Sequence, residues 1–131
     1  MKGIGVDVVS VSIFKEQVQS RDLPFVNSSF TANEVEYSFG AVSERPEQHL
    51  AVRYAAKEAV IKALDQARGE LFQPIASVNY KHIEVLLDCA GRPYIELKSE
   101  LKVYADDLGI RDIKVSLSHD NDYAIAQVYI A

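Results

Sequence analysis

The chain has 131 residues, 48% of them hydrophobic and 25% charged, with a formal net charge of −5. This is the size and composition of one ordinary soluble globular domain, 1–131, and no stretch approaches the ~20 apolar residues of a membrane span. The negative balance disfavours nucleic acid and anionic membrane as partners, since both call for a basic footprint. In chain order, "MKGIGVDVVSV" has the faint look of a signal peptide, but Asp7 inside it makes a buried strand the better reading. In a strand over 3–11, Ile4, Val6 and Val8 share one face and Gly5, Asp7, Val9 and Val11 the other. Ser12 is a candidate cap for a short helix carrying Phe14 and Val18. "TANE" at 31–34 is a capping-box pattern that opens a second short helix through Tyr37, with Gly40 as its stop. Pro46 suits the first turn of a long helix running to about Arg68, before Gly69. "HIEVLL" (82–87) and "PYIEL" (93–97) read as a hairpin across "DCAG". Ser99 is the expected cap of a helix to Leu108, stopped by Gly109. "IKVSLS" (113–118) and "YAIAQVYI" (123–130) form a second hairpin across "HDND". The expected fold is α+β, a mostly antiparallel sheet packed on one long helix. The single cysteine, Cys89, has no internal disulfide partner, which points to a reducing cytoplasm.

The chemistry concentrates in "RYAAKEAVIKAL", 53–64. At ~100° per residue, Val52, Ala56, Ala59, Val60, Ala63 and Ala67 form one apolar stripe. Glu58 and Lys62 lie opposite, yet Tyr54, Ala55 and Ile61 flank them, so the far side is largely apolar too. A helix apolar nearly all round is covered on both sides, and charges there need partners or ligands. The ordinary reading is a helix ion pair at i, i+4, worth ~0.3–0.5 kcal/mol. Asp7 adds a second reading. It stands in an apolar strand, where a carboxylate is either a hydrogen-bonding residue or part of a site. Two such carboxylates beside a lysine suit a divalent cation, and Mg²⁺ takes one or two protein carboxylates with waters and phosphates. Spacing alone does not show that the strand meets the helix.

"GIGVDVV" at the N-terminus, "FTANEVEY" (30–37), "RYAAKEAVIKAL", "GRPY" (91–94) and "SLSHDNDYAIAQV" (116–128) stand in the order of one family. The chain resembles the holo-[acyl-carrier-protein] synthases, the small single-domain 4′-phosphopantetheinyl transferases. The resemblance implies that fold. It also implies transfer of the phosphopantetheine arm of coenzyme A to a serine of an apo acyl carrier protein, with release of adenosine 3′,5′-bisphosphate. By the same resemblance Asp7 and Glu58 hold Mg²⁺. The chemistry suits Lys62 to neutralise charge on the phosphate or leaving group and makes Glu58 the best candidate for taking the serine proton, while the sequence leaves open whether one carboxylate does both. Arg53, Pro93, Ser118 and His119 match positions that meet coenzyme A, His119 at the nucleotide end. Each also has a plainer reading. Arg53 sits at the edge of the core stripe, "GRPY" works as a hairpin turn, and a lone histidine is commonly a surface residue. Glu34 is explained by its capping box, Lys57 is solvated or structural, and the tyrosines are expected to pack. The resemblance further implies a homotrimer with sites between subunits.

Four residues depart from the family pattern. Ser10 stands where an acidic residue is usual and Ile13 where an arginine grips the carrier. Asp65 replaces a glycine after the helix lysine, where it could pair with Lys62, and Asp120 replaces a threonine after the histidine. Lys15, Arg21 and Arg45 are candidates for a local basic patch, which an acidic carrier requires of an acidic enzyme. Ile13 and Phe14 favour a polyketide-type or other specialised carrier over the strongly acidic fatty-acid one. The alternative is a degenerate module that keeps the fold and binds coenzyme A or a carrier without transfer.

Overall fold

Two glycines decide how the chain is assembled. Strand β1 (Gly3–Ser10) lies directly on helix α4 (Pro46–Arg68). A Cβ on Gly5 would stand 1.9 Å from the Ala59 carbonyl oxygen, and one on Gly3 would stand 2.3 Å from that of Ala63. Only glycine on the strand lets two backbones approach so closely, with alanines supplying the helix side. Gly3, Gly5 and Asp7 share the face turned to the helix, because strand side chains alternate. Ile4 is also tied to the helix by its N–H, which donates to Gln66 Oε1 at 2.7 Å.

The computed structural model describes residues 2–18, 23–40, 45–70, 73–75 and 77–131. After β1 come α1 (Val11–Gln17), α2 (Pro24–Ser29), α3 (Ala32–Ser38) and the 23-residue α4. A short 3₁₀ turn, Tyr80–His82, leads into β2 (Ile83–Leu87) and β3 (Pro93–Leu97). Helix α5 (Ser99–Asp107), β4 (Ile113–Asp120) and β5 (Tyr123–Ile130) follow. All strand pairs are antiparallel, in a sheet of order β1-β5-β4 and a separate β2-β3 hairpin. The α+β expectation holds. Helix α4 begins at Pro46 and ends before Gly69, whose φ of 58° stops it as the sequence indicates.

Two local readings are corrected. Ser10, not Ser12, caps α1, and Ser12 is instead a first-turn residue held by Asp122. Ser99 is the first helical residue of α5, with φ 53°, and Lys98 holds the cap position without a side-chain cap bond. The second hairpin turns more tightly than expected, since β4 continues to Asp120 and leaves Asn121 and Asp122 as the turn. The capping box of α3 forms as read, with Thr31 and Glu34 exchanging bonds. Arg21 lies outside the described residues.

One core lies between α4 and the inner faces of the sheets, built on Ala59, Val60, Ala63, Ile83, Ala126 and Val128. A second gathers Phe14, Val26, Phe30 and Val35 of the short helices on Leu50 and Ala51 of α4. Strand β5 alternates buried Ala124, Ala126, Val128 and Ile130 with exposed neighbours. On the outer face of this sheet β1 and β5 expose apolar side chains: Ile4, Val6, Val8, Tyr123, Ile125 and Tyr129 are all at least 40% exposed. No helix among the described residues is long and apolar enough to cross a membrane.

Candidate active site

The strand does meet the helix at the expected residues. Two residues past Gly5, Asp7 faces α4. The Lys62 ammonium donates to Asp7 Oδ1 at 3.1 Å and to the Val6 carbonyl at 3.0 Å. Lys62 is therefore a link between helix and strand, and its ion pair is with Asp7. Glu58, one turn earlier, accepts from the Tyr80 hydroxyl. Asp7 and Glu58 line one open groove of about 360 Å³, with Ser10, Ile13, Phe14 and Tyr54 around them. The groove thus offers two carboxylates, an ammonium at the rim and an apolar wall.

Tyr80 is the residue that sequence reasoning missed. Its ring stacks on Tyr54 with centroids 5.4 Å apart and planes 15° from parallel. Its phenol is pushed well above the usual range by burial first, then by its hydrogen bond to Glu58 and that residue's charge. Tyr54 is raised by burial and then by the Glu58 charge. Both phenols stay protonated and able to donate. The signal in the sequence was slight: an Asn79 that caps a single 3₁₀ turn by accepting from Lys81 N–H at 3.0 Å.

Lys57, next to Glu58, is structural. Its ammonium is fully buried and donates to Glu34 Oε1 at 2.8 Å, Tyr80 O at 2.8 Å and Ile83 O at 2.5 Å. Burial lowers its pKa, and the Glu34 carboxylate opposes that shift. Glu34 also takes the Thr31 and Val85 N–H groups, so it both caps α3 and anchors β2.

The residues expected at coenzyme A fall in two places. Arg53 is 4% exposed, donates to His49 O at 3.2 Å and lies 4.4 Å from the centre of the Tyr37 ring. Its Nε has no partner among the described residues, and burial lowers its pKa. His49 packs edge-on against Tyr37, and its pKa is lowered by burial and then by the charges of Arg53 and His119. His119 Nδ1 lies 3.1 Å from Gln48 Nε2, so the end of β4 comes to the first turns of α4. Ser118 is exposed and pairs with Ile125. Pro93 belongs elsewhere, in a groove of about 540 Å³ between β3 and β4 that includes Arg92, Val115 and Leu117. That groove shares no lining residue with the one holding Asp7 and Glu58.

Among the departures, Asp65 pairs with Arg68 Nε at 2.7 Å and not with Lys62. Ser10 donates to Asp122 Oδ2 at 2.8 Å, and Ser12 does so at 2.7 Å, fixing α1 to the β4–β5 turn. Ile13 is 67% exposed beside the groove, and Asp120 is exposed.

Comparison with known proteins bears on the whole chain. Residues 3–128 match the 4′-phosphopantetheinyl transferase superfamily. A holo-[acyl-carrier-protein] synthase of Ruminiclostridium cellulolyticum is 34% identical over 98% of this chain and 90% of that protein. One from Clostridium kluyveri is 38% identical over 95% and 85%. The solved ACPS–CoA complex of Chronobacterium ammoniagenes superimposes with a TM-score of 0.79 at 36% identity, over 98% of this chain and 95% of that one. The acyl carrier protein synthase of Mycobacterium tuberculosis gives 0.75 at 35%, over 99% and 96%. Its motifs, its fold and its relatives agree that the chain belongs to the 4′-phosphopantetheinyl transferase superfamily, as an enzyme of the holo-[acyl-carrier-protein] synthase type.

Proposed function

We propose that this chain transfers the 4′-phosphopantetheine arm of coenzyme A to a serine of an apo acyl carrier protein and releases adenosine 3′,5′-bisphosphate. The observation that carries the reading is that Asp7 and Glu58 line one open groove and that the Lys62 ammonium rests on Asp7. Solved relatives described as complexes with coenzyme A, from Chronobacterium ammoniagenes and Helicobacter pylori, support the donor.

The donor set suits Mg²⁺. Asp7 and Glu58 supply hard carboxylate oxygens, and no third acidic, His or Cys side chain joins them in a cluster among the described residues. Two protein ligands leave most of an octahedron for water and phosphate, which is the Mg²⁺ pattern. Asp7 and Glu58 would hold the ion, which supplies charge neutralisation and orientation of the diphosphate. Lys62, at the rim, moves from Asp7 to the transferring phosphate or the leaving group. Glu58 takes the serine proton, directly or through one water. His119, with Ser118 beside it, meets the nucleotide end of coenzyme A, and Arg53 and Pro93 stand near that end.

The working unit is a homotrimer with sites between subunits. The apolar outer face of β1 and β5 supports assembly, because a patch of this kind on a soluble domain is ordinarily covered. The separation of the Pro93 groove from the Asp7 groove supports a shared site, since one extended ligand reaches both more readily across two chains. The exposed free thiol of Cys89 accords with a reducing cytoplasm. The carrier is a polyketide-type or other specialised one, which the exposed Ile13 on the groove wall supports.

Intact-mass spectrometry of an apo carrier incubated with the protein, coenzyme A and Mg²⁺ tests the reading. A phosphopantetheine-sized gain that EDTA abolishes is expected. No gain on a panel of carriers would overturn transfer and favour a binding module.

A further inference from the structure

Glu58 carries two duties in the proposed reaction, yet a glutamate at the edge of an open groove has three rotatable bonds with which to leave its post. Tyr80 stands against that. It lies 22 residues along the chain and is gripped at both ends by adjacent residues of α4. At its base, the buried Lys57 ammonium binds the Tyr80 carbonyl at 2.8 Å and the Ile83 carbonyl at 2.5 Å, clamping both ends of the 3₁₀ turn. At its tip, the hydroxyl donates to Glu58 Oε1. In between, the ring is stacked on Tyr54, itself one turn before Glu58 on the same helix. The turn is further closed by Asn79, whose carbonyl accepts from His82 N–H at 2.8 Å. A tyrosine held at backbone, ring and hydroxyl has little freedom, and it passes that fixity to the carboxylate it binds.

We infer that Tyr80 is the positioning residue of Glu58, its hydroxyl holding Oε1 so that the carboxylate keeps one orientation toward the groove shared with Asp7. This rests on the functional reading of Glu58 given above. The Tyr80 hydroxyl is engaged by Glu58 Oε1, so it acts through Glu58. Groups that orient a functional side chain from behind typically change activity by about 10–100-fold when removed.

The Tyr80→Phe variant removes the hydroxyl and keeps the ring on Tyr54 and the carbonyl on Lys57. Its kcat falls by about tenfold or more, while KM for coenzyme A and for carrier stays near wild type. Melting temperature is nearly unchanged. In a Glu58→Asp background, where the shortened side chain has already withdrawn from Tyr80, adding Tyr80→Phe brings no further loss. In a crystal structure of Tyr80→Phe, Glu58 leaves its wild-type rotamer. Wild-type kcat in Tyr80→Phe, or an equal further loss in the Glu58→Asp background, would overturn the assignment. A wild-type protein that transfers nothing would sink the functional reading instead. The crystal structure would then still judge Tyr80, by whether Glu58 keeps its rotamer without the hydroxyl.

Discussion

The Lys62 ammonium rests on Asp7 Oδ1 at 3.1 Å, so the two groups proposed to meet a phosphate and a cation meet each other first. The lysine side chain is 55% exposed, and an ion pair at such a surface is worth about 0–1 kcal/mol. It is therefore easily exchanged when a phosphate offers Lys62 a stronger partner. Replacing Lys62 by Met frees Asp7. Mn²⁺ affinity without coenzyme A, read by electron paramagnetic resonance, is expected to rise about two- to fivefold, while transfer drops by orders of magnitude. Unchanged transfer in Lys62→Met would remove the lysine from the mechanism.

The seam beneath Asp7 permits a harsher test. Gly5→Ala places a methyl group 1.9 Å from the Ala59 carbonyl, so strand and helix must part. Overpacking of this kind destabilises by about 1–3 kcal/mol. A lowered urea midpoint with loss of transfer is expected. Gly91→Ala serves as a strain control without a clash, since that turn glycine has a φ of 80° and open space around it.

Acid should loosen the α3–β2 junction. Burial raises the pKa of Glu84, but hydrogen bonds from Thr31, Lys98 and Asn33 outweigh it and hold the carboxyl below its ordinary 4.5. A carboxyl depressed in the folded state binds fewer protons there than when unfolded. Its contribution is thus complete above about pH 4.5 and fades as pH falls through the folded value. Melting temperatures recorded from pH 7 down to about 3 should fall through this window, and Glu84→Gln should flatten that part of the slope.

The proposed carrier preference rests on the wall of the groove. Ile13→Arg puts a cation in the place of an isoleucine that is 67% exposed on the groove wall. The variant should gain several-fold in kcat/KM toward a strongly acidic fatty-acid carrier, through faster and more salt-sensitive association. The wild type should prefer a polyketide-type carrier at equal concentration. A clear wild-type preference for the fatty-acid carrier would refute the apolar reading of this wall.

The outer face of the sheet predicts assembly. Val6 is 53% exposed between Ile4 and Val8. Val6→Glu should convert the proposed trimer to monomer in analytical ultracentrifugation and remove most transfer, although Val6 does not line the groove. A monomeric wild type with full activity would exclude sites shared between chains.

Much of this was legible in the sequence because local chemistry and tertiary need coincide. Pro46 and Gly69 bound α4, Thr31 and Glu34 close a capping box, and the alternation in 123–130 is the alternation of β5. Asp7, Glu58 and Lys62 stood out because charges among apolar neighbours are conspicuous. Other features were set from a distance. Ser12 looks like a cap, but Asp122 binds both serines, and it is Ser10 Oγ that also accepts from Ile13 N–H and caps the helix. The six residues of α2 are too few to show a period. Tyr80 was read as packing, since nothing in "NYKH" reveals that its hydroxyl reaches a helix residue 22 positions away.

The glycine seam also works as an index mark. A strand shifts register in steps of two if its faces are to stay in place, about 6.6 Å each time. Sliding β1 by one such step would press Asp7 into the gap that Gly5 fills, against the Ala59 carbonyl. Sliding the other way would bring a larger residue to the place of Gly3 or leave it beyond the end of the strand. Misregistered chains are therefore rejected by collision before any chemistry is tried, and the carboxylate has one height above the helix and no second.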